Sequence, residues 1–358
     1  MMRLALALLL LCTLPARADV TPEQDRAIVE NTIVKYLRPG FAELETRAAG
    51  LQNAVETFCA APDGAKLDEA KAAFVQLLDQ WSRVEYARLG PVIEEKRLER
   101  FSFWPDPKGI GLRQVQAILS SKDADAVSVD TLKGKSVAVQ GMQALEFVLY
   151  GTGADGLTSG DTFRCTYGEA IADNLASIAT EISDAWSDDG GYVAVMREPG
   201  PDNPVYRDAR EPVADIVEIV TTGLQFVRDV KLGNFVGDTP EKAKPRQAAF
   251  WRSGQTLPSI RANLEGLQEL FDVSGMAETL SSQPTGGGYR SSINFEFRNA
   301  FRNLDAGYPP LEEAVVSPDD HDRLGYLSIV ANSLWKYFNE AVAGVLGLRM
   351  GFNALDGD

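Results

Sequence analysis

Apolar residues recur at helical spacing along almost the whole chain. The clearest stripe alternates steps of three and four residues, which places its members along one side of an α-helix. It contains Leu67, Ala70, Phe74, Leu77, Trp81 and Val84 and ends at Arg88. Similar stripes run from Phe163 to Trp186 and from Ser317 onwards. Because the sequence lacks two-residue alternation between hairpin turns, we predict an all-α fold of two packed helix bundles.

The chain divides best at a segment rich in helix-breaking residues. Its 358 residues are enough for two domains with substantial cores. Glycine, proline and aspartate cluster between Ser187 and Pro204, which is typical of a connection between domains. We therefore predict an N-terminal helical domain at residues 19–190, a linker at 191–204 and a C-terminal helical domain at 205–358.

Capping residues and prolines predict where several helices begin and end. Thr21 and Ser317 each precede a proline, and this pairing fits a helix cap followed by the first helical residue. The pair Pro39-Gly40 is expected to interrupt the first helical pattern. The segment Lys244–Arg252 is predicted to form a short helix that stops at the following Ser-Gly pair.

The N-terminus has the three parts of a secretory signal peptide. A charged start at Arg3 precedes an apolar run that ends at Leu11, and small residues lead to Ala18. The run is too short to span a membrane, and no later stretch is long and apolar enough to do so. We predict that residues 1–18 are the signal peptide. A lipid anchor at Cys12 is not expected, because the leucine before it is too large for a typical lipidation site.

Two cysteines remain after the predicted cleavage, Cys59 and Cys165. An even pair in an oxidising compartment predicts one disulfide, which would join two helices far apart in the sequence. The alternative is a pair of buried free thiols.

The formal net charge of the chain is −16. Nucleic acid and anionic membranes select basic surfaces, so neither is expected as the primary partner. A cationic ligand or a metal is compatible with this charge.

One carboxylate lies in a strongly apolar stretch. Glu146 follows Leu145 and precedes Phe147, and on a helix it shares a face with Gln143. A buried carboxylate requires a cation, a metal or several hydrogen-bond donors. Both side chains carry oxygen atoms of the kind that hard cations bind.

Four segments resemble, in the same order, segments of the imelysin-like family of bacterial envelope proteins. They are Trp81–Pro91, Phe103–Pro107, Gly141–Glu146 and Gly351–Asp358. The third is similar to the family's Gly-x-His-x-x-Glu signature, with Gln143 in the place of the histidine. The resemblance runs from about Ile28 to the C-terminus.

The resemblance implies a periplasmic binding protein, because imelysin-like proteins are associated with iron uptake. The implied ligand-binding residues are Gln143, Glu146, Glu85, Asp106, Arg113 and Trp104. Glu146 and Glu85 would supply carboxylates to a metal, for which iron or calcium is the expected ion. The expected ligand is a metal ion or a small chelate, and a component of an envelope transport system is a possible partner.

Several of these residues also have purely structural interpretations. Glu85 lies at the edge of its helical stripe and fits a solvated or ion-paired flank. Asp106 fits a helix cap and Trp104 a core side chain, since both lie in a segment held extended by prolines. The tail Asn353–Asp358 fits either an acidic pocket edge or a solvated end.

Two other functions remain open at the level of the sequence. In an envelope protein-interaction module with a degenerate site, Glu146 would form a structural ion pair with Arg100 or Arg113. The family also takes its name from a reported peptidase activity. Catalytic zinc is normally bound by two or three histidines with a carboxylate, but the sequence contains one histidine, His321, and Gln143 replaces the signature histidine. Gln is a weak ligand for zinc.

We predict that the purified mature protein does not cleave denatured casein, with or without added zinc. The physical reason is the missing imidazole ligand at Gln143. Release of acid-soluble peptides measures the activity, and a Glu146→Ala variant serves as the control. Reproducible cleavage that this substitution abolishes would contradict the prediction.

Overall fold

A computed structural model describes residues 20–283 and 286–348 of the chain. These residues form α-helices joined by short 3-10 turns and loops, and they contain no β-strand. The all-α prediction is therefore confirmed. The predicted signal peptide, Cys12 and the tail Asn353–Asp358 lie outside the described residues.

The first half of the chain contains helices of very different lengths, of which α2, α3 and α8 are the longest. They are α1 (Pro22–Thr32), α2 (Arg38–Ala60), α3 (Gly64–Val84), α4 (Arg97–Phe101), α5 (Ile110–Ser121), α6 (Val129–Leu132), α7 (Met142–Tyr150), α8 (Thr162–Ser187) and α9 (Gly191–Arg197).

The second half continues the same style of structure. Its helices are α10 (Glu211–Gln225), α11 (Gly233–Val236), α12 (Thr256–Val273), α13 (Met276–Ser282), α14 (Gly287–Asp305), α15 (Leu311–Ala314), α16 (Pro318–Lys336) and α17 (Ala343–Leu346). Within residues 20–283 and 286–348, three π-helical segments connect helices without a break: Ile33–Leu37, Phe226–Leu232 and Tyr337–Val342.

The helices pack as two bundles that share one continuous hydrophobic core. In the first bundle α2 packs against α3 and α8, and in the second α16 packs against α10 and α14. Helix α3 crosses to pack against α12, and α1 packs against α10, so both halves of the chain contribute to the contact between the bundles. The segment 191–204 contains α9, and the division into domains at this segment stays a prediction.

The contact between α3 and α12 depends on a glycine. A Cβ atom added to Gly266 would lie 2.0 Å from the carbonyl oxygen of Arg83. Any larger residue would therefore push the two helices apart. Beside this point Arg83 forms an ion pair with Glu265. The close approach of α3 and α12 holds the two bundles at a fixed distance. The candidate site lies between the two bundles.

Local capping chemistry explains the observed helix starts. Thr21 and Gln24 form a reciprocal capping box at the start of α1. Ser317 accepts a hydrogen bond from the backbone N–H of Asp320, and Pro318 occupies the first turn of α16. Both predicted caps are confirmed.

The predicted interruption at Pro39-Gly40 is wrong. The chain instead passes from α1 through the π segment Ile33–Leu37 directly into α2. The N–H of Arg38 bonds to the carbonyl of Ile33, five residues earlier. Pro39 therefore lies in the first turn of α2, where a proline does not break the helix.

The predicted short helix at Lys244–Arg252 is also wrong. Only Pro245–Gln247 forms a single 3-10 turn, and Ala248 after it is extended. Phe250 then has a φ of 55°, which a bulky residue adopts only when surrounding contacts compensate the strain. This irregular segment forms one wall of the candidate site.

A disulfide joins Cys59 at the end of α2 to Cys165 near the start of α8, with Cα atoms 5.6 Å apart. The interpretation as buried free thiols is therefore wrong, and the predicted pairing is present. The bond fastens the two helices that form the first bundle.

Replacing both cysteines with serine should lower the free energy of unfolding by ~4–5 kcal/mol, because the bond closes a long loop in the unfolded chain. The two residues are 106 positions apart. Urea denaturation under oxidising conditions measures the difference, and wild-type protein with its disulfide reduced should match the variant. Immediate labelling of the native, unreduced protein by a thiol reagent would contradict the prediction.

Candidate functional site

Gly141 fixes where the site helix, α7, begins. Gly141 directly precedes α7, and a Cβ atom added to it would lie 2.5 Å from the carbonyl oxygen of Phe101 and 2.7 Å from that of Arg100. A side chain at this position would separate α7 from the end of α4. Glycine therefore permits the close approach that sets the positions of Gln143 and Glu146.

A cavity of about 320 Å³ lies between the two bundles at the start of α7. Gln143 and Glu146 line it, as do Trp104 and Asp106 from the segment before α5. The opposite wall is the irregular segment 246–252. Aromatic rings form much of the surface, contributed by Phe103, Trp104, Phe147, Phe250 and Trp251.

A second cavity of about 250 Å³ adjoins the first. Glu85, Arg88 and Lys231 line it. Residues that border both cavities form the partition between them: Phe103, Trp104, Pro105, Gln143 and Phe250. The site is therefore a pair of neighbouring chambers, and Gln143 lies on their common wall.

Glu146 is buried, with 2% of its surface exposed. Its Oε1 atom accepts hydrogen bonds from the Ser253 backbone N–H at 2.9 Å and from the Ser253 hydroxyl at 2.8 Å. Burial raises the pKa of the carboxyl above its ordinary value, although the bonds from Ser253 and the charge of Arg252 favour the ionised form. Glu146 thus connects α7 to the opposite wall of the cavity.

The arginines proposed as structural partners of Glu146 are engaged elsewhere. Arg100 donates to the side chains of Gln140 and Asn174. Arg113 donates to the carbonyl of Lys108. The interpretation of Glu146 as an ion pair with Arg100 or Arg113 is therefore wrong.

Gln143 has one satisfied and one unsatisfied polar atom. Its Nε2 donates to the Ser102 hydroxyl at 2.9 Å. Its Oε1 is buried and has no hydrogen-bond partner among the residues that the structure describes. An orphaned buried acceptor is costly in a native protein. In this cavity wall it could accept a hydrogen bond from a bound ligand.

Glu85 lies at the C-terminal end of α3, in the second cavity. Its Oε1 accepts from Lys231 Nζ at 2.5 Å and from Asn263 Nδ2 at 2.6 Å. Lys231 lies on the π segment after α10 and is 3% exposed. Burial lowers the pKa of the Lys231 ammonium, while the charge of Glu85 opposes that shift. Glu85 is therefore one half of a buried ion pair between the bundles.

Asp106, Trp104 and Arg113 are the remaining residues of the predicted site, and each has different contacts. Asp106 accepts from the backbone N–H groups of Ile110 at 2.9 Å and Gly111 at 2.7 Å, so it caps α5. Trp104 meets the ring of Phe226 edge-on, with centroids 6.0 Å apart. Arg113 lines neither of the two cavities. Of the six predicted residues, four surround the first cavity: Gln143, Glu146, Trp104 and Asp106.

The acidic groups of the site do not form a cluster. The residues that the structure describes contain no group of three or more His, Cys, Asp or Glu side chains placed to hold a metal ion. Glu85 and Glu146 line different cavities, and each already has a partner. Their assignment as metal ligands stays a prediction.

Three residues of the first cavity were not predicted from the sequence: Arg246, Trp251 and Arg252. The guanidinium of Arg252 lies 4.5 Å from the ring centre of Trp251 and 5.4 Å from that of Phe147. The guanidinium of Arg246 lies 5.5 Å from the ring centre of Trp251. The sequence feature that could have identified them is the mixture of aromatic and charged residues after Pro245. The same kind of mixture led to the prediction of Trp104 as a site residue.

Comparison with known proteins gives one family match. The model of the imelysin family, peptidase M75, matches residues 37–328. A curated relative, iron-regulated protein A of Synechococcus elongatus, is 22% identical over 259 residues, which is 71% of this chain. The match spans 65% of the length of that relative.

Two solved structures share the fold. An imelysin-like protein from Psychrobacter arcticum has a TM-score of 0.74 at 17% identity, over 93% of this chain and 99% of its own. A protein assigned as an iron-regulated protein A precursor from Parabacteroides distasonis has a TM-score of 0.76 at 13% identity, over 93% and 97%. At these identities the similarity establishes the fold alone.

The raised pKa of Glu146 gives a prediction about stability and pH. The folded state binds the Glu146 proton more tightly than the unfolded state, whose carboxyl has the ordinary pKa of 4.5. The stabilisation from this carboxyl is complete below that pH and is lost as the pH rises through the folded-state pKa. The Gln side chain of a Glu146→Gln variant does not ionise, so the variant does not lose this stabilisation. Its free energy of unfolding relative to that of wild type should therefore increase from about pH 4 to about pH 8.

Urea denaturation at the two pH values measures the change. Glu56→Gln, which removes an exposed carboxylate on α2, is the matched control. A constant difference between Glu146→Gln and wild type would contradict a raised pKa.

Proposed function

The chain belongs to the imelysin family, and on that premise we propose that it is a non-catalytic binding protein of the bacterial cell envelope that takes part in acquiring iron or another metal. The cavity between the bundles carries this proposal, because Gln143 and Glu146, from the segment that resembles the family signature, both line it. Concave sites between domains are the usual location for small ligands. The name of the curated relative, iron-regulated protein A, supports a role connected with iron.

Three observations favour binding over catalysis. His321 bonds through Nε2 to the Val236 carbonyl at 3.2 Å and lines neither of the two cavities. The signature histidine is replaced by Gln143, whose free oxygen accepts hydrogen bonds but takes no proton at neutral pH. Glu146 accepts two hydrogen bonds from Ser253 and has no histidine beside it to share general acid–base work.

The geometry favours a chelated or organic ligand over a bare metal ion. A hard cation binds several carboxylate or carbonyl oxygens at once. In this site Glu85 is paired with Lys231, and Asp106 accepts from two backbone N–H groups. A bare ion would have to displace these partners, whereas a chelate brings its own metal ligands and needs only hydrogen bonds and surface contact.

The envelope location is a further part of the proposal. It is supported by the signal-peptide pattern at residues 1–18. Among the described residues, no helix combines the length and the apolar character needed to cross a bilayer. We place the mature protein in the periplasm, where a transport component of the envelope would be the partner that receives the ligand.

Calorimetric titration of the metal-stripped mature protein with Fe(III)-citrate and with Ca²⁺ tests the proposed function. Fe(III)-citrate should bind saturably, and Glu146→Ala should weaken the binding at least about tenfold, because the cavity wall loses its attachment to α7. Glu56→Gln again serves as the control. Thermal unfolding confirms that each variant is folded.

The outcomes separate the candidate functions. Binding of Ca²⁺ that is lost in Glu146→Ala would favour a bare cation bound by oxygen ligands. No heat from either ligand, with folded variants of similar stability, would count against metal acquisition and would favour the protein-interaction alternative.

A further inference from the structure

Two guanidinium groups line the first cavity, and neither forms an ion pair with a carboxylate of the described residues. Arg246 and Arg252 both line it, and their guanidinium groups lie beside the ring of Trp251. Within the described part of the chain, no carboxylate forms an ion pair with either of them. Burial and the neighbouring charge of Arg246 lower the pKa of Arg252, against the opposing charge of Glu146. Two guanidinium groups beside the same ring, neither of them in an ion pair, are typical of an anion site.

The carboxylates of the same cavity offer little opposing charge. Both oxygens of Asp106 accept backbone N–H groups at the start of α5, where the helix dipole is positive. Glu146 is bonded to Ser253, and its burial favours the neutral form. Both carboxylates of this cavity are therefore already engaged by hydrogen-bond donors, while the two guanidinium groups remain available to an anion.

The other side chains of the cavity wall indicate what else the ligand must carry. Aromatic side chains offer flat apolar faces, among them Trp104 and Trp251. The free Oε1 atom of Gln143 accepts one hydrogen bond. A ligand that satisfies all of these groups carries an anionic group at one end and a hydroxyl or N–H donor at the other.

We infer that the cavity binds a small carboxylate-bearing anion, whose carboxylate is held by Arg246 and Arg252 beside Trp251 and whose donor bonds to Gln143. This inference rests on the proposed function and adds the chemical class of its ligand. Arg252 is the stronger contact, because it is partly buried while Arg246 is exposed. Free organic acids and ferric carboxylate chelates share this chemistry.

Glu146 then has a positioning role. Its bonds to Ser253 fix the residue next to Arg252, and the hydroxyl of Ser253 also bonds to the carbonyl of Phe250 at 3.1 Å. The carboxylate holds the wall that carries the guanidinium groups in place and does not itself contact the anion.

Calorimetry with three probes tests the inference: citrate, Fe(III)-citrate and an uncharged ferric trihydroxamate chelate. Wild-type mature protein should bind one or both carboxylate probes and should not bind the uncharged chelate. The dissociation constant of the carboxylate probe should rise about 10- to 100-fold in Arg252→Gln, because a hydrogen-bonded charge contact is lost. It should rise about 2- to 5-fold in Arg246→Gln, whose side chain is more exposed.

Matched variants distinguish charge from folding. Arg252→Lys keeps the charge and should recover part of the affinity, since the forked geometry is lost. Arg298→Gln, on the exposed side of α14, should bind like wild type. Raising the ionic strength should weaken carboxylate binding, because salt screens the arginine charges.

The results also separate this inference from the function on which it rests. Binding of the uncharged chelate without binding of the carboxylates, or carboxylate binding unchanged in Arg252→Gln, would overturn the anion site but leave a ligand-binding protein. Binding of none of the three probes would overturn both. Preference for Fe(III)-citrate over citrate would identify the chelate as the form that binds, and the reverse would identify the free acid.

Discussion

The hydrogen bonds between Glu146 and Ser253 connect the two halves of the molecule at the candidate site. A carboxylate buried in an apolar helix needs donors, and α7 offers none at this position, so the donors come from a residue more than a hundred positions later. The hydrogen bonds that Ser253 donates to the Glu146 carboxylate hold the irregular segment around Phe250 against α7. That segment, in which Phe250 has a positive φ, forms one wall of the cavity.

Sequence patterns predicted the parts of the fold that depend on local chemistry. The stripe from Leu67 to Val84 became α3, and the stripe from Phe163 to Trp186 became α8, because spacing of three and four leaves one face to bury. The caps at Thr21 and Ser317 follow from side-chain oxygens that reach nearby N–H groups. These features need no information from distant residues.

The failures share a different origin. The continuous path through Ile33–Leu37 depends on π-type hydrogen bonds that the sequence does not indicate. The sequence therefore predicts a break at Pro39 that the fold does not contain. The segment Lys244–Arg252 contains helix-compatible residues, yet only Pro245–Gln247 forms a turn, and Ser253 directly after the segment bonds to Glu146 across the cavity. The site was predicted in half for the same reason. Gln143 and Glu146 lie on one short segment that resembles a family signature. Arg246 and Arg252 are distant in the sequence, and only folding brings them to the same cavity.

Gln143, at the position where the resemblance implies a histidine, fits the charge pattern of the cavity. An imidazole ligates zinc when it is neutral and adds positive charge when it is protonated, whereas a carboxamide carries no charge and is a weak ligand for zinc. Glu146 then has the hydrogen bonds from Ser253 as its main support, burial raises its pKa, and the two guanidinium groups lie beside Trp251 in the same cavity. The net charge of −16 describes the whole surface and its solubility. Beyond about 10 Å salt screens it, so the cavity can be selective for anions within an acidic protein.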